Sequence, residues 1–150
     1  MEPKSTVDDT ALNGIMLYCG QLGLEFKGRT PITSKVGPFG EWEKLINCPT
    51  PMSYAVGFEL RSQKYQGTDT DDSAAINMKL YCSDGNVFEG YPESRNYRNA
   101  RYTGPQMCSA GKGICGIQTE VEAYQFLGDD TSLNNVRVKC CNANNFYKKY

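Results

Sequence analysis

The 150-residue sequence contains no histidine, which excludes Ser-His-Asp and Cys-His nucleophiles and leaves a mixed Cys/His zinc site without its imidazole. No metal and no cofactor is expected. No apolar run is long enough to cross a bilayer, so no membrane span is expected. Neither sign of charge dominates: 16 Lys and Arg stand against 17 Asp and Glu, a formal charge of −1. Without a basic stripe there is nothing on which a phosphate backbone releases its counterions, and nucleic acid is not an expected partner. No Gly-rich loop precedes Lys-Ser or Lys-Thr, so the phosphate cradle of a P-loop is missing as well. Asn-x-Ser/Thr acceptors for N-linked glycans are also lacking. Met1-Glu2-Pro3-Lys4 opens on polar sequence without the apolar stretch of a signal peptide. The start reads as a mature or expressed form, or as an incomplete N-terminus.

What is present favours strands. Ten Tyr, 15 Gly and 7 Pro suit short strands joined by tight turns, and the expected class is all-β. The length suits a single domain over residues 1–150. Seven cysteines, spaced neither as CxxC pairs nor as a zinc ribbon, suit disulfides and an oxidising compartment, and hence a secreted, extracellular protein.

The chain repeats itself. One twelve-residue block occurs three times, at Asp8-Asp9-Thr10-Ala11-Leu12-Asn13-Gly14-Ile15-Met16-Leu17-Tyr18-Cys19, at Asp71 to Cys82 and at Asp129 to Cys140. Its second half alternates: Ile15, Leu17 and Cys19 share one face, as do Met78, Leu80 and Cys82, and Val136, Val138 and Cys140. Each block therefore ends as a strand. A second element lies upstream, where Val56-Gly57-Phe58-Glu59-Leu60-Arg61-Ser62-Gln63 aligns with Cys115-Gly116-Ile117-Gln118-Thr119-Glu120-Val121-Glu122. Ile117 and Val121 alone also fit a helical i, i+4 spacing, and the match with Gly57-Phe58-Glu59-Leu60 decides for strand. A third element, Gly40-Glu41-Trp42 followed by Cys48, is echoed by Tyr102 and Cys108 at the same spacing of six. Asp84-Gly85 predicts a hairpin turn into Asn86-Val87-Phe88. The units run over about 1–28, 29–90 and 91–141, with a tail at 142–150. The first holds only its final block, because nothing before Asp8 corresponds to Trp42, Cys48 or the Gly57-Phe58 strand.

Each complete unit carries one early and one terminal cysteine, which predicts Cys48 with Cys82 and Cys108 with Cys140 or Cys141. Cys115 takes whichever of the last two remains. Cys19 is left over, as an unpaired thiol or as the link of a disulfide dimer. The acidic pairs Asp8-Asp9, Asp71-Asp72 and Asp129-Asp130 recur with the block. Calcium ligation and glycosidase-type carboxylate chemistry are the alternatives, but a catalytic pair need occur once whereas a turn launching every sheet must occur in each repeat. They are read as turn-forming residues. Trp42 is the candidate for stacking on a sugar ring, weighed against ordinary core or rim packing.

Together these residues resemble the vitelline membrane outer layer protein I family. The resemblance rests on the thrice-repeated Asp-Asp-Thr-Ala-Leu-Asn-like block, the Gly40 to Pro49 stretch, Gly57 to Leu60 and the closing Cys140-Cys141, and it spans about Asp8 to Cys141. It implies a β-prism of type I, with three sheets about a pseudo-threefold axis around one apolar core. The chain departs from the pattern in its incomplete first repeat, in Tyr102 where a Trp is expected, and in its tail. An incomplete prism, less stable than full-length relatives and held by dimerisation through Cys19, is the expectation. The family is associated with the outer coat of the egg, and the resemblance also implies binding or transfer of chito-oligosaccharides. A non-enzymatic structural component of an extracellular coat, with coat or matrix proteins and glycans as partners, is the favoured reading. A carbohydrate-binding or chito-oligosaccharide-transferring protein is the alternative.

Overall fold

A computed structural model describes residues 12–20, 28–37, 41–63, 74–90, 100–121 and 133–146. Alternating sequence becomes strand throughout: β1 (Met16–Cys19), β2 (Thr30–Thr33), β3 (Ala55–Gln63), β4 (Ala74–Cys82), β5 (Val87–Glu89), β6 (Ala100–Tyr102), β7 (Gln106–Met107), β8 (Lys112–Val121) and β9 (Leu133–Asn142). The 3-10 turn Ala143–Phe146 follows β9. The class is all-β, in three antiparallel sheets: β1-β2, then β5-β4-β3-β6 with β7 also on β3, then β8-β9.

The sheets share one apolar centre. Phe58, Leu60, Ala75 and Met78 of the second sheet meet Val121, Leu133 and Val136 of the third, and Leu12 and Ile15 pack on them from the first. Leu12, Ala75 and Leu133 occupy the same position of the repeated block, and the Leu12 N–H donates to the Ala75 carbonyl at 2.8 Å. Ala75 is 1% exposed and Leu133 is 0% exposed. Repeat-equivalent residues thus converge on one point, as a pseudo-threefold arrangement requires.

The repetition extends to irregularities of the ladder. Between β3 and β4 the register skips Val56 and Ile76; between β8 and β9 it skips Cys115 and Asn134, the equivalent positions. After each second bulge an asparagine closes on the backbone: Asn77 Oδ1 accepts from Met78 N–H and Asn135 Oδ1 from Val136 N–H, both at 2.8 Å. A backbone group displaced from the ladder by a bulge is so satisfied locally. The predicted hairpin is formed, with Gly85 at φ 86° and its N–H donating to the Cys82 carbonyl at 3.0 Å. A side-chain hydrogen bond with Thr50, then one from the Asn86 backbone, hold the Asp84 carboxyl at about 2. Gly113 answers a different need, since a Cβ there would come within 2.5 Å of both Tyr54 and Phe146, whose rings meet edge to face at 5.3 Å.

Sheets and sequence units are offset. β6 and β7, from the front of the third unit, pair with β3 of the second, and β2, from the front of the second unit, pairs with β1 of the first. Each front segment therefore completes the sheet before it. The disulfides cross the same joints: Cys48 bonds Cys82, and Cys108, whose N–H donates to the Val56 carbonyl in the second sheet, bonds Cys140 in the third. Cys115, the bulged residue of β8, bonds Cys141 on β9.

Candidate functional site

Between core positions, the strands of the second sheet present polar side chains on the opposite face. Cross-strand register places them in rows: Glu59 opposite Lys79 and Lys79 opposite Glu89, then Asn77 opposite Arg61 and Arg61 opposite Tyr102. Acid, base and acid alternate across three strands, the arrangement in which directly opposed side chains attract. Glu59 is 7% exposed, and a buried carboxylate requires partners for its oxygens. It has them: Tyr81 donates its phenolic O–H to Oε2 at 2.8 Å, and the Gly104 N–H donates to Oε1 at 2.9 Å.

Tyr102 ties the rows together. Its O–H donates to Glu89 Oε1 at 3.1 Å, and the Lys79 ammonium stands 3.7 Å from the centre of its ring, a cation–π contact. Burial, then the hydrogen bond to Glu89 and that carboxylate's charge, push the Tyr102 phenol up to about 12. The hydrogen bond to Glu59 also raises Tyr81. Both phenols are donors at neutral pH, and the cluster binds its own members: carboxylates accept from tyrosines and backbone, and a cation covers the aromatic face. In the third sheet the equivalent positions hold Gln118, Glu120, Asn135, Arg137 and Lys139, so the constellation belongs to the second sheet. Sequence reading passed over it. The signal was the outward set Glu59, Arg61, Lys79 and Tyr81 between inward apolar residues, which acquires meaning once register brings Glu89 and Tyr102 beside it.

Tyr102 carries a pH prediction. Below pH 10 folded and unfolded chains both hold its proton, and its contribution to stability is fully present; between 10 and about 12 the unfolded chain has released the proton while the folded one keeps it. Stability should fall as pH rises through that window. Tyrosinate absorbance of the folded protein should show a late step that Tyr102→Phe removes.

A cavity of about 960 Å³ is lined by Ile15 and Leu17, by Ile76, Met78, Leu80 and Phe88 of the second sheet, and by Ile114 and Cys115 of the third. Trp42 stands on its lining, 58% exposed, so the indole is not a core residue. Cys19, at the end of β1, lines the same cavity as a free, half-buried thiol whose burial raises its pKa. Thiol titration without denaturant should find one slowly reacting group per monomer, and Cys19→Ser should abolish it; no titratable thiol in a pure monomer would contradict the bonding pattern.

Asp8, Asp9, Asp71, Asp72, Asp129 and Asp130 lie outside the described residues. Among the described residues no group of three or more His, Cys, Asp or Glu is placed to hold a metal ion, and no helix is long and apolar enough to cross a membrane.

The family model described as Vitelline membrane outer layer protein I matches residues 1–143. The vitelline membrane outer layer protein 1 homolog of Mus musculus is 37% identical over 143 residues, covering 94% of this chain and 67% of the relative. The homolog of Homo sapiens has the same identity and the same coverage.

Proposed function

The chain belongs to the vitelline membrane outer layer protein I family, and from that premise we propose that it is a secreted, non-enzymatic structural component of an extracellular, egg-coat-like layer. The observation that carries the reading is the disulfide framework: six of seven cysteines are bonded within the chain, and the Cys108–Cys140 bond joins two sheets. Such a framework is stable where glutathione does not keep thiols reduced, and it suits a component that must persist outside the cell. The polar cluster on the second sheet supports the same role, because its groups are engaged with one another. Its partners are coat or matrix proteins, and a dimer linked through Cys19 belongs to this proposal.

One observation favours a second reading. Trp42 offers an exposed indole beside a large cavity, and exposed aromatic faces stack on sugar rings. Incubation with N-acetylglucosamine oligomers separates the two. A structural component neither binds the oligomers nor changes their lengths. Binding that Trp42→Ala removes would replace the proposal with a carbohydrate-binding role, and altered chain lengths lost on Asp71→Asn with Asp72→Asn would replace it with an enzyme.

A further inference from the structure

The three disulfides hold different things together. Cys48–Cys82 anchors the irregular segment 41–48, and Cys108–Cys140 joins the second sheet to the third. Cys115–Cys141 joins β8 to β9, which are already paired from Lys112 opposite Asn142 to Val121 opposite Leu133. Opening it leaves that ladder in place. Its restraint on the unfolded chain is also the smallest of the three. While Cys108 and Cys140 stay bonded, Cys115 and Cys141 are held near each other, and their own bond closes only the short path from Cys115 back to Cys108 and on from Cys140 to its neighbour. The sequence separation of 26 residues therefore overstates the loop.

The surroundings of Cys115 suit a thiol as well as a disulfide. Cys115 is the residue that the β8 bulge leaves out of the ladder, and both it and Cys141 are half-buried. Its Sγ stands 3.4 Å from the Lys139 carbonyl oxygen. A disulfide sulfur has no proton to donate, so this contact becomes a hydrogen bond only when the bond is opened. The next residue, Gly116, has no side chain, and the Lys139 side chain lies against it: a Cβ there would stand 3.2 Å from Lys139 Cβ and 3.9 Å from Lys139 Cδ. A lysine beside a cysteine stabilises the charge of a departing thiolate.

We propose that Cys115–Cys141 is a thiol–disulfide exchange site, opened by a small thiol of the glutathione class while the other two bonds and the fold persist. The thiolate of the small molecule attacks Cys141 Sγ. A mixed disulfide forms there, the Cys115–Cys141 bond breaks, and its electron pair leaves on Cys115, which takes a proton from water; the new S–H donates to the Lys139 carbonyl. A second thiolate then attacks the small molecule's sulfur in the mixed disulfide, giving the oxidised small-molecule disulfide and a free Cys141. The protein gains two electrons and the two small thiols lose them. The inference rests on the extracellular reading, because a bond that opens and closes with the surrounding thiol content carries information only where disulfides are the rule.

The test places the full oxidised chain in a series of reduced-to-oxidised glutathione buffers, followed by acid quenching, alkylation and peptide mapping by mass. At intermediate buffers Cys115 and Cys141 should become labelled together, with glutathione on Cys141 as the transient adduct, while Cys48, Cys82, Cys108 and Cys140 stay bonded and the melting transition stays cooperative. Cys19, the free thiol, is labelled throughout. Opening of either other bond first, unfolding on loss of Cys115–Cys141, or glutathione on Cys115 in place of Cys141 would overturn the proposal. Cys115→Ala with Cys141→Ala should fold and lose less melting temperature than Cys108→Ala with Cys140→Ala; an equal or greater loss counts against it. Lys139→Gln should slow the opening several-fold, and an unchanged rate would remove Cys115 as the leaving sulfur. Failure here is distinct from failure of the structural role: oligosaccharide turnover with an exchangeable bond removes the role alone, and an inert bond without turnover removes the exchange site alone.

Discussion

Replacing Cys48 and Cys82 together by alanine is expected to lower the unfolding free energy by about 4 kcal/mol, the chain-entropy value for a loop closed over a separation of 34 residues. That is a large part of the net stability of an ordinary domain. The bond has a local task as well. Residues 41–48 form neither helix nor strand, and Cys48 anchors their end to Cys82, which is buried in β4. Trypsin should therefore cleave after the exposed Lys44 faster in the variant than in the parent, and denaturant titration should show the midpoint shift. A loss below about 1 kcal/mol would show that the unfolded chain is already confined without the bond.

Phe58→Ala should cost about 3 to 5 kcal/mol, the range for an aromatic side chain removed from a packed interior. Phe58 is 1% exposed and belongs to the cluster that joins the second and third sheets. Its repeat equivalent, Ile117, is only partly buried against that cluster. Ile117→Ala should accordingly cost less, by guanidinium titration of the two variants side by side. Equal losses would mean that the core is centred differently from the position that Phe58, Leu133 and Val136 define.

How much of this was legible beforehand depends on whether the determinant is local. Period-two alternation from Ile15 to Cys19 and its two echoes is local, and it is enough for an all-β protein of three sheets. The Asp84-Gly85 turn is local too, since its conformation is decided within four residues. Partner choice among strands is not. Nothing in Ala100–Tyr102 or Thr30–Thr33 announces that these strands join the sheet of the preceding unit, because pairing depends on where the intervening chain returns. The choice of Cys140 for Cys108 and Cys141 for Cys115 was equally out of reach. It turns on a bulge at Cys115, which moves that side chain by one step relative to the partner strand, and a bulge is a property of the pair and not of either sequence. The polar cluster on the second sheet escaped for the same reason. Glu59, Lys79 and Glu89 lie far apart along the chain, and only register sets them in a row.

The offset between sheets and units has a consequence for how such a protein is divided or extended. Because β6 and β7 complete the sheet that β3 begins, a cut at a unit boundary leaves one piece short of its edge and the other with an orphaned arm. The units hold one another as dancers in a round do, each with a hand in the next place. A fragment carried through Met107 should accordingly hold its second sheet better than one ending at the unit boundary near residue 90.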